Sequence, residues 1–193
     1  MKNTILFILF TICTSINSNA QVYRIIAESN NTTTIDRVEK ILILEPLIQH
    51  KVPIMVNTIK SSVEEKIDSH FDYRFFNADE YKTIFENNTL INLNDIAEAE
   101  AGYDAILVIE YVLVESIVSY STPADERSNY SRINMSLFNK RGELIAKSSR
   151  NAISADSYGL IKNPIKGIRT ASRKAMRSIM SKLAIYNKTL LKA

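Results

Sequence analysis

Residues 104–114, Asp104-Ala-Ile-Leu-Val-Ile-Glu-Tyr-Val-Leu-Val114 (DAILVIEYVLV), decide the fold of this chain. Apolar residues fill both parities for most of the run. A strand sends alternate side chains to opposite faces, so this pattern predicts a central strand covered on both sides. A sheet dry on both faces needs further layers packed on it, which places the chain in the α/β (α+β) class.

The rest of the chain supplies those layers. Lys40 to Pro46 (KILILEP) is a short β-branched run stopped by proline, a buried strand. Met55, Ile59, Val63 and Ile67 recur at helical spacing, with Lys60, Glu64, Glu65 and Lys66 between them, which predicts an amphipathic helix from Ile54. Phe71, Tyr73 and Phe75 alternate with Asp72 and Arg74 as in a half-buried strand. Asn77 with Glu80 forms a weak capping box and predicts a helix carrying Tyr81, Ile84 and Phe85. Another helix is predicted from Asn92 or Asn94 to Gly102.

Downstream, residues 119–131 (SYSTPADERSNYS) are polar and predict a loop. Ile133, Met135 and Leu137 then alternate with polar neighbours, and an extended pattern resumes over 144–148. A tight turn at Asn139-Lys140-Arg141-Gly142 would join the two as a hairpin. A long helix starts near Asn163, with Pro164 where a missing N–H costs nothing. Ile165, Ile168, Ala171, Ala175, Met176, Ile179 and Leu183 line one side, and Lys166, Arg169, Arg173, Lys174 and Arg177 spread over the rest. The predicted order is β-α-β-α-α-β-β-β-α, a mixed sheet of about five strands with helices packed on it. One domain spans residues 40–187, after a flexible leader (21–39, polar and rich in Asn and Thr over 28–37) and before a short tail (188–193).

The N-terminus gives an address. Lys2, the apolar run Ile5–Ile12 and the small residues Ser18 and Ala20 have the layout of a secretory signal over 1–20. The run is too short for a span of about 20 residues. The one cysteine, Cys13, lies inside this segment, so the exported portion has no disulfide, thiol nucleophile or thiolate metal site. Ile12 is too bulky for the residue before a lipobox cysteine, which argues against lipid attachment at Cys13.

Charge is divided along the chain. Gln21–Phe138 holds ten basic and nineteen acidic residues, whereas Asn139–Ala193 holds thirteen basic residues and only Glu143 and Asp156. Either the segments neutralise one another across the fold, or the second presents a basic surface to an anionic partner. No nucleic-acid motif is present.

Catalytic signatures are missing too. His50 and His70 lie beside acids but not in an HExxH pattern. No GxSxG elbow occurs, and the few scattered glycines exclude a phosphate-cradling loop. The sequence therefore assigns no catalytic residue, no metal ligand and no cofactor. Its candidate partner-binding residues are Tyr120, Arg127 and Tyr130 in the 119–131 loop, since tyrosine and arginine anchor interfaces, and Lys166, Arg169, Arg173, Lys174 and Arg177 on the last helix. A solvated connector and a solvated helix face are the plainer readings of the same residues.

Gly102, Asp104 and Ala105 before the central strand, and Asn139, Lys140, Gly142 and Glu143 at the hairpin turn, resemble motifs of a family of bacterial envelope proteins. It includes the curli-secretion lipoprotein CsgG, the penicillin-binding-protein activator LpoB, the flagellar lipoprotein FlgO and the N-terminal domain of TolB. KILILEP is similar to that family's first strand, and the likeness runs from Lys40 to Leu183. Two departures are the absent lipobox and Glu110-Tyr111 where the family has glycine. The resemblance implies an α/β protein-binding module, periplasmic or outer-membrane associated, with no catalytic residue to carry over.

The expected function is an exported, non-enzymatic envelope protein that acts as a protein-binding or assembly module. Its partner would be an envelope protein or an anionic envelope polymer; peripheral membrane contact and homo-oligomer formation are compatible with this. The second reading is a periplasmic ligand-binding or hydrolytic protein with its site at the strand carboxyl ends, near Glu45, Asn77 or Glu115. A pore-forming oligomer ranks last, since no spare pair of spanning strands is evident.

Overall fold

The computed structural model describes residues 22–26, 37–48, 53–85, 88–119, 126–153 and 164–191. Its elements are β1 (Val22–Ile26), β2 (Lys40–Leu44), β3 (Leu47–Ile48), α1 (Pro53–Glu64), β4 (Asp72–Phe76), a 3-10 turn (Asp79–Tyr81), β5 (Lys82–Phe85), β6 (Asn88–Asn92), α2 (Leu93–Ala99), β7 (Ala105–Ser119), β8 (Glu126–Asn139), β9 (Leu144–Ile153) and α3 (Pro164–Leu190). The main sheet has the order β4-β2-β7-β8-β9, with β3 also paired to β7. β2 runs parallel to β4 and β7, while β7, β8 and β9 form an antiparallel meander. The expected mixed α/β fold is thus what the chain adopts.

The 104–114 stretch lies mid-sheet, as its composition requires. Ile41, Ile43, Leu107 and Ile109 face one side, where Ile59 and Val63 of α1 and Ile168, Ala175 and Ile179 of α3 cover them. Leu42, Leu44, Ile106 and Val108 face the other, under Ile91, Leu93 and Ile96 from β6 and α2. Each such side chain contributes about 2 kcal/mol of burial. The second cover ends at Glu110: that residue is half-buried, and Val112, two further on, is exposed. Burial pushes the Glu110 carboxyl pKa up, and the Lys147 ammonium only partly opposes this.

Several expectations are corrected. The predicted 77–85 helix is a 3-10 turn followed by β5. Asn77 Oδ1 accepts from the Asp79 amide (3.0 Å), a local turn rather than a helix cap, and Thr83, Ile84 and Phe85 are β-formers that pair with β6. β6 itself was not foreseen. Val22–Ile26, in the stretch read as a leader, forms β1 and pairs parallel with β6. The loop expected over 119–131 is shorter: β7 continues to Ser119, and β8 begins at Glu126. Val114, Ile117, Val118 and Ser119 pair with Tyr130, Ser128, Arg127 and Glu126, with a register irregularity between Val114 and Ile117. The pairing is made by backbone groups, so a strand can form here without an apolar pattern in its sequence.

The residues that carry the family resemblance form a clasp. Asp104 Oδ2 accepts from the backbone amides of Glu39 (3.0 Å) and Lys40 (2.9 Å), and Oδ1 meets Lys140 Nζ at 3.0 Å. The starts of β2 and β7 are thereby tied to the β8–β9 turn. In that turn Asn139 Oδ1 accepts from the amides of Arg141 and Glu143, and Gly142 adopts φ 74°, which only glycine takes without strain. A second tie closes the same end. Buried Asn187, near the end of α3, exchanges two hydrogen bonds with the backbone of Val38, at 3.0 and 2.9 Å.

Candidate functional site

α3 lays an apolar stripe, Ile168, Ala171, Ala175, Met176, Ile179 and Leu183, onto the sheet. Small residues at Ala171, Ser172 and Ala175 meet Ala146 and Ala152 of β9 in the same core, so helix and edge strand approach closely. Beside that stripe run Lys174, Arg177, Ser178, Ser181 and Lys182. Their spacing of i, i+3, i+4, i+7 and i+8 puts them on one helix face. Arg150 projects from β9 on the same parity as Ala146, Ser148 and Ala152. These six side chains line a groove of about 580 Å³ between α3 and the sheet edge. Lys182 Nζ is anchored by donating to the Lys147 carbonyl.

The electrostatics of the groove differ from those elsewhere. Most ion pairs among the described residues lie within the acidic segment: Lys60–Glu45, Lys66–Glu65, Arg74–Glu100, Lys82–Asp79 and Arg37–Glu39. Two join the acidic and basic segments, Lys140–Asp104 and Arg173–Glu65. Arg150, Lys174, Arg177 and Lys182 take part in no salt bridge with a described residue. Four like charges share one concavity, with no counter-charge from a described residue.

The sequence-predicted residues fall into three groups. Lys174 and Arg177 line the groove, and Lys166 and Arg169 are exposed on the earlier turns of α3. Arg173 is spent on Glu65, whose carboxyl is held below the usual range first by Lys66, against some desolvation, and then by Arg173. Tyr120 lies outside the described residues. Arg127 and Tyr130 are placed in the β8 ladder, opposite Val118 and Val114, and not in a loop. The structure adds Arg150, Ser178, Ser181 and Lys182, which the reading missed. The i, i+4, i+8 series 174–178–182 was legible; Arg150 was not, because its partner helix lies far along the chain.

Other candidate positions are accounted for locally. Glu45, at the carboxyl end of β2, binds Lys60 at 3.1 Å, and that ammonium also sits 4.7 Å from the Phe75 ring centroid. His70 pairs with Asp68, and His50 and the Glu115 side chain lie outside what is described. Among the described residues no group of three or more His, Cys, Asp or Glu side chains is placed to hold a metal ion. Among them, too, no helix is long and apolar enough to cross a membrane.

No family model matches the sequence, and no curated protein aligns with it. Solved structures with a similar course of backbone come from bacteria. The hypothetical protein CT253 of Chlamydia trachomatis is 9% identical, with 78% of this chain and 98% of that one covered and a TM-score of 0.45. The PelC dodecamer of Paraburkholderia phytofirmans is 10% identical, covering 79% and 96%, with a TM-score of 0.43. Lipoprotein GNA1162 of Neisseria meningitidis is 20% identical over 61% of this chain and 87% of that one, with a TM-score of 0.36. These likenesses concern the backbone, and no residue role is carried over from them.

Proposed function

We propose that this is an exported, non-enzymatic envelope protein that acts as a protein-binding or assembly module of the CsgG and LpoB kind, docking through the cationic side of α3. The observation that carries the reading is that four cations, Lys174, Arg177 and Lys182 on α3 and Arg150 on β9, line one groove without a salt bridge to a described residue. A charged face of this kind steers a partner of opposite sign and selects against partners of like sign. The N-terminal layout of a secretory signal supports the exported location. The motif residues serve a structural clasp, which fits a module whose recognition lies in surface side chains.

The test compares wild type with the quadruple variant Lys166→Glu, Arg169→Glu, Lys174→Glu, Arg177→Glu. All four residues are exposed. Export should yield a mature N-terminus at Gln21, read by N-terminal sequencing. The wild type should co-fractionate with the envelope and capture the same proteins from envelope extract in repeated pull-downs. The variant should lose both. An unchanged fractionation profile and capture set for the variant would overturn the docking surface.

A further inference from the structure

The groove between α3 and β9 has a chemistry more specific than a basic surface. We propose that it is a binding site for a phosphoryl group carrying two or more negative charges. The inference deepens the protein-docking reading, which rests on the same four cations, by naming a small anionic group; its test changes Arg150 and Lys182, which the quadruple charge-reversal variant leaves in place, so the two readings can fail separately.

Three observations converge. First, the described lining is two guanidiniums (Arg150, Arg177), two ammoniums (Lys174, Lys182) and two hydroxyls (Ser178, Ser181), with no carboxylate among the described residues. Guanidinium forks present paired N–H donors matched to tetrahedral oxyanions, and serine hydroxyls add donors that rotate to fit. Second, none of the four cations pairs with a described carboxylate, whereas Arg173, one residue before Lys174, has Glu65. A lone carboxylate would leave most of the charge unbalanced, whereas a phosphate monoester brings about two charges and three acceptor oxygens. Third, the site sits on rigid elements. Both α3 and β9 are anchored in the core by Ala146, Ala152, Ala171, Ala175 and Ile179, and the Lys182 side chain is already fixed on the Lys147 carbonyl. At about 580 Å³ the groove exceeds the volume of one phosphate group and has room for the residue that carries it.

The experiment uses the mature chain and three proteins: wild type, Arg150→Gln with Lys182→Gln, and Lys40→Gln, an exposed cation on β2, as a control outside the groove. Calorimetric titration with inorganic phosphate and with pyrophosphate, at fixed ionic strength, reads the free anion. Flotation with vesicles of pure phosphatidylcholine, or with phosphatidic acid added, reads a lipid-borne phosphate. Wild type should bind in at least one arm, and the double variant should bind about tenfold or more weakly in that arm. Lys40→Gln should match wild type. Binding only to phosphatidic acid vesicles assigns the group to a headgroup, and binding to pyrophosphate alone assigns it to a soluble ligand. Equal weakening by the control, equal affinity for citrate, or no binding in either arm would each overturn the proposal. Retained folding of the double variant, checked by its thermal midpoint, separates a lost site from a lost protein.

Discussion

Two regions of α3 use polar residues in opposite ways. Near its end, Asn187 is buried and both its amide groups are consumed by the Val38 backbone, beside the Asp104–Lys140 clasp. Earlier on the same helix, Lys174, Arg177 and Lys182 stand exposed with no described carboxylate paired to them. The first region exchanges each polar group for a protein partner, so its residues carry stability. The second leaves its charges without a described counter-charge, so its residues carry little of the fold and, in the proposed function, recognition. A substitution can therefore separate the two roles along a single helix.

The largest effect is expected at the buried end. Asn187→Leu removes both hydrogen bonds to Val38 and strands a buried N–H and C=O, at a cost of about 3 kcal/mol. Urea unfolding should show this as a lower midpoint with an unchanged slope. Asp104→Ala comes next, at about 2 kcal/mol, since the amides it releases can reach water. Asp104→Asn should cost less, because it keeps an acceptor for those amides and loses only the charge facing Lys140. If Asn187→Leu proves no more damaging than Arg177→Gln, the division of α3 into two regions is wrong.

Acid should act on the clasp and spare the groove. Burial raises the Asp104 carboxyl pKa, but the Glu39 amide, Lys140 and the Lys40 amide outweigh it, so the folded-state value lies below the ordinary one. A depressed carboxylate contributes stability that is fully present above the unfolded value of about 4 and is lost as pH falls through the folded value. Wild type should therefore lose part of its stability below about pH 4. Asp104→Asn should show a shallower acid dependence in urea titrations across that window. Arg177 makes no salt bridge with a described carboxylate, so Arg177→Gln should leave the slope unchanged.

What was legible in the sequence follows from the range of each interaction. The 104–114 run declared its place because its first part, 105–109, is buried on two faces and leaves no parity for polar residues, and α3 showed its apolar stripe for the related reason of helical period. The 77–85 segment misled, because a capping box is a local signal and β5 exists only through its pairing with β6. The 119–131 segment misled because its strand is set by backbone pairing with β7, which a polar sequence does not announce. At the site, Lys174 and Arg177 were visible as helix-face cations. Arg150 reaches them only through the packing of β9 on α3, which no local pattern encodes.

The smallest effect on stability is expected in the groove, where it is also the most diagnostic. Arg150, Arg177 and Lys182 are exposed, and none takes part in a salt bridge with a described residue, so replacing any one by Gln should shift stability by no more than about 0.5 kcal/mol. Like charges that crowd one concavity repel one another, so the shift should be towards greater stability, and added salt should reduce it by screening. The wild type should in turn gain more thermal stability from raised salt than the Arg177→Gln variant does. Differential scanning calorimetry at two ionic strengths reads this difference directly. An Arg177→Gln variant that is clearly destabilised would mean that its guanidinium already holds part of the fold together. The groove would then be a structural feature of the same kind as the Asp104 clasp.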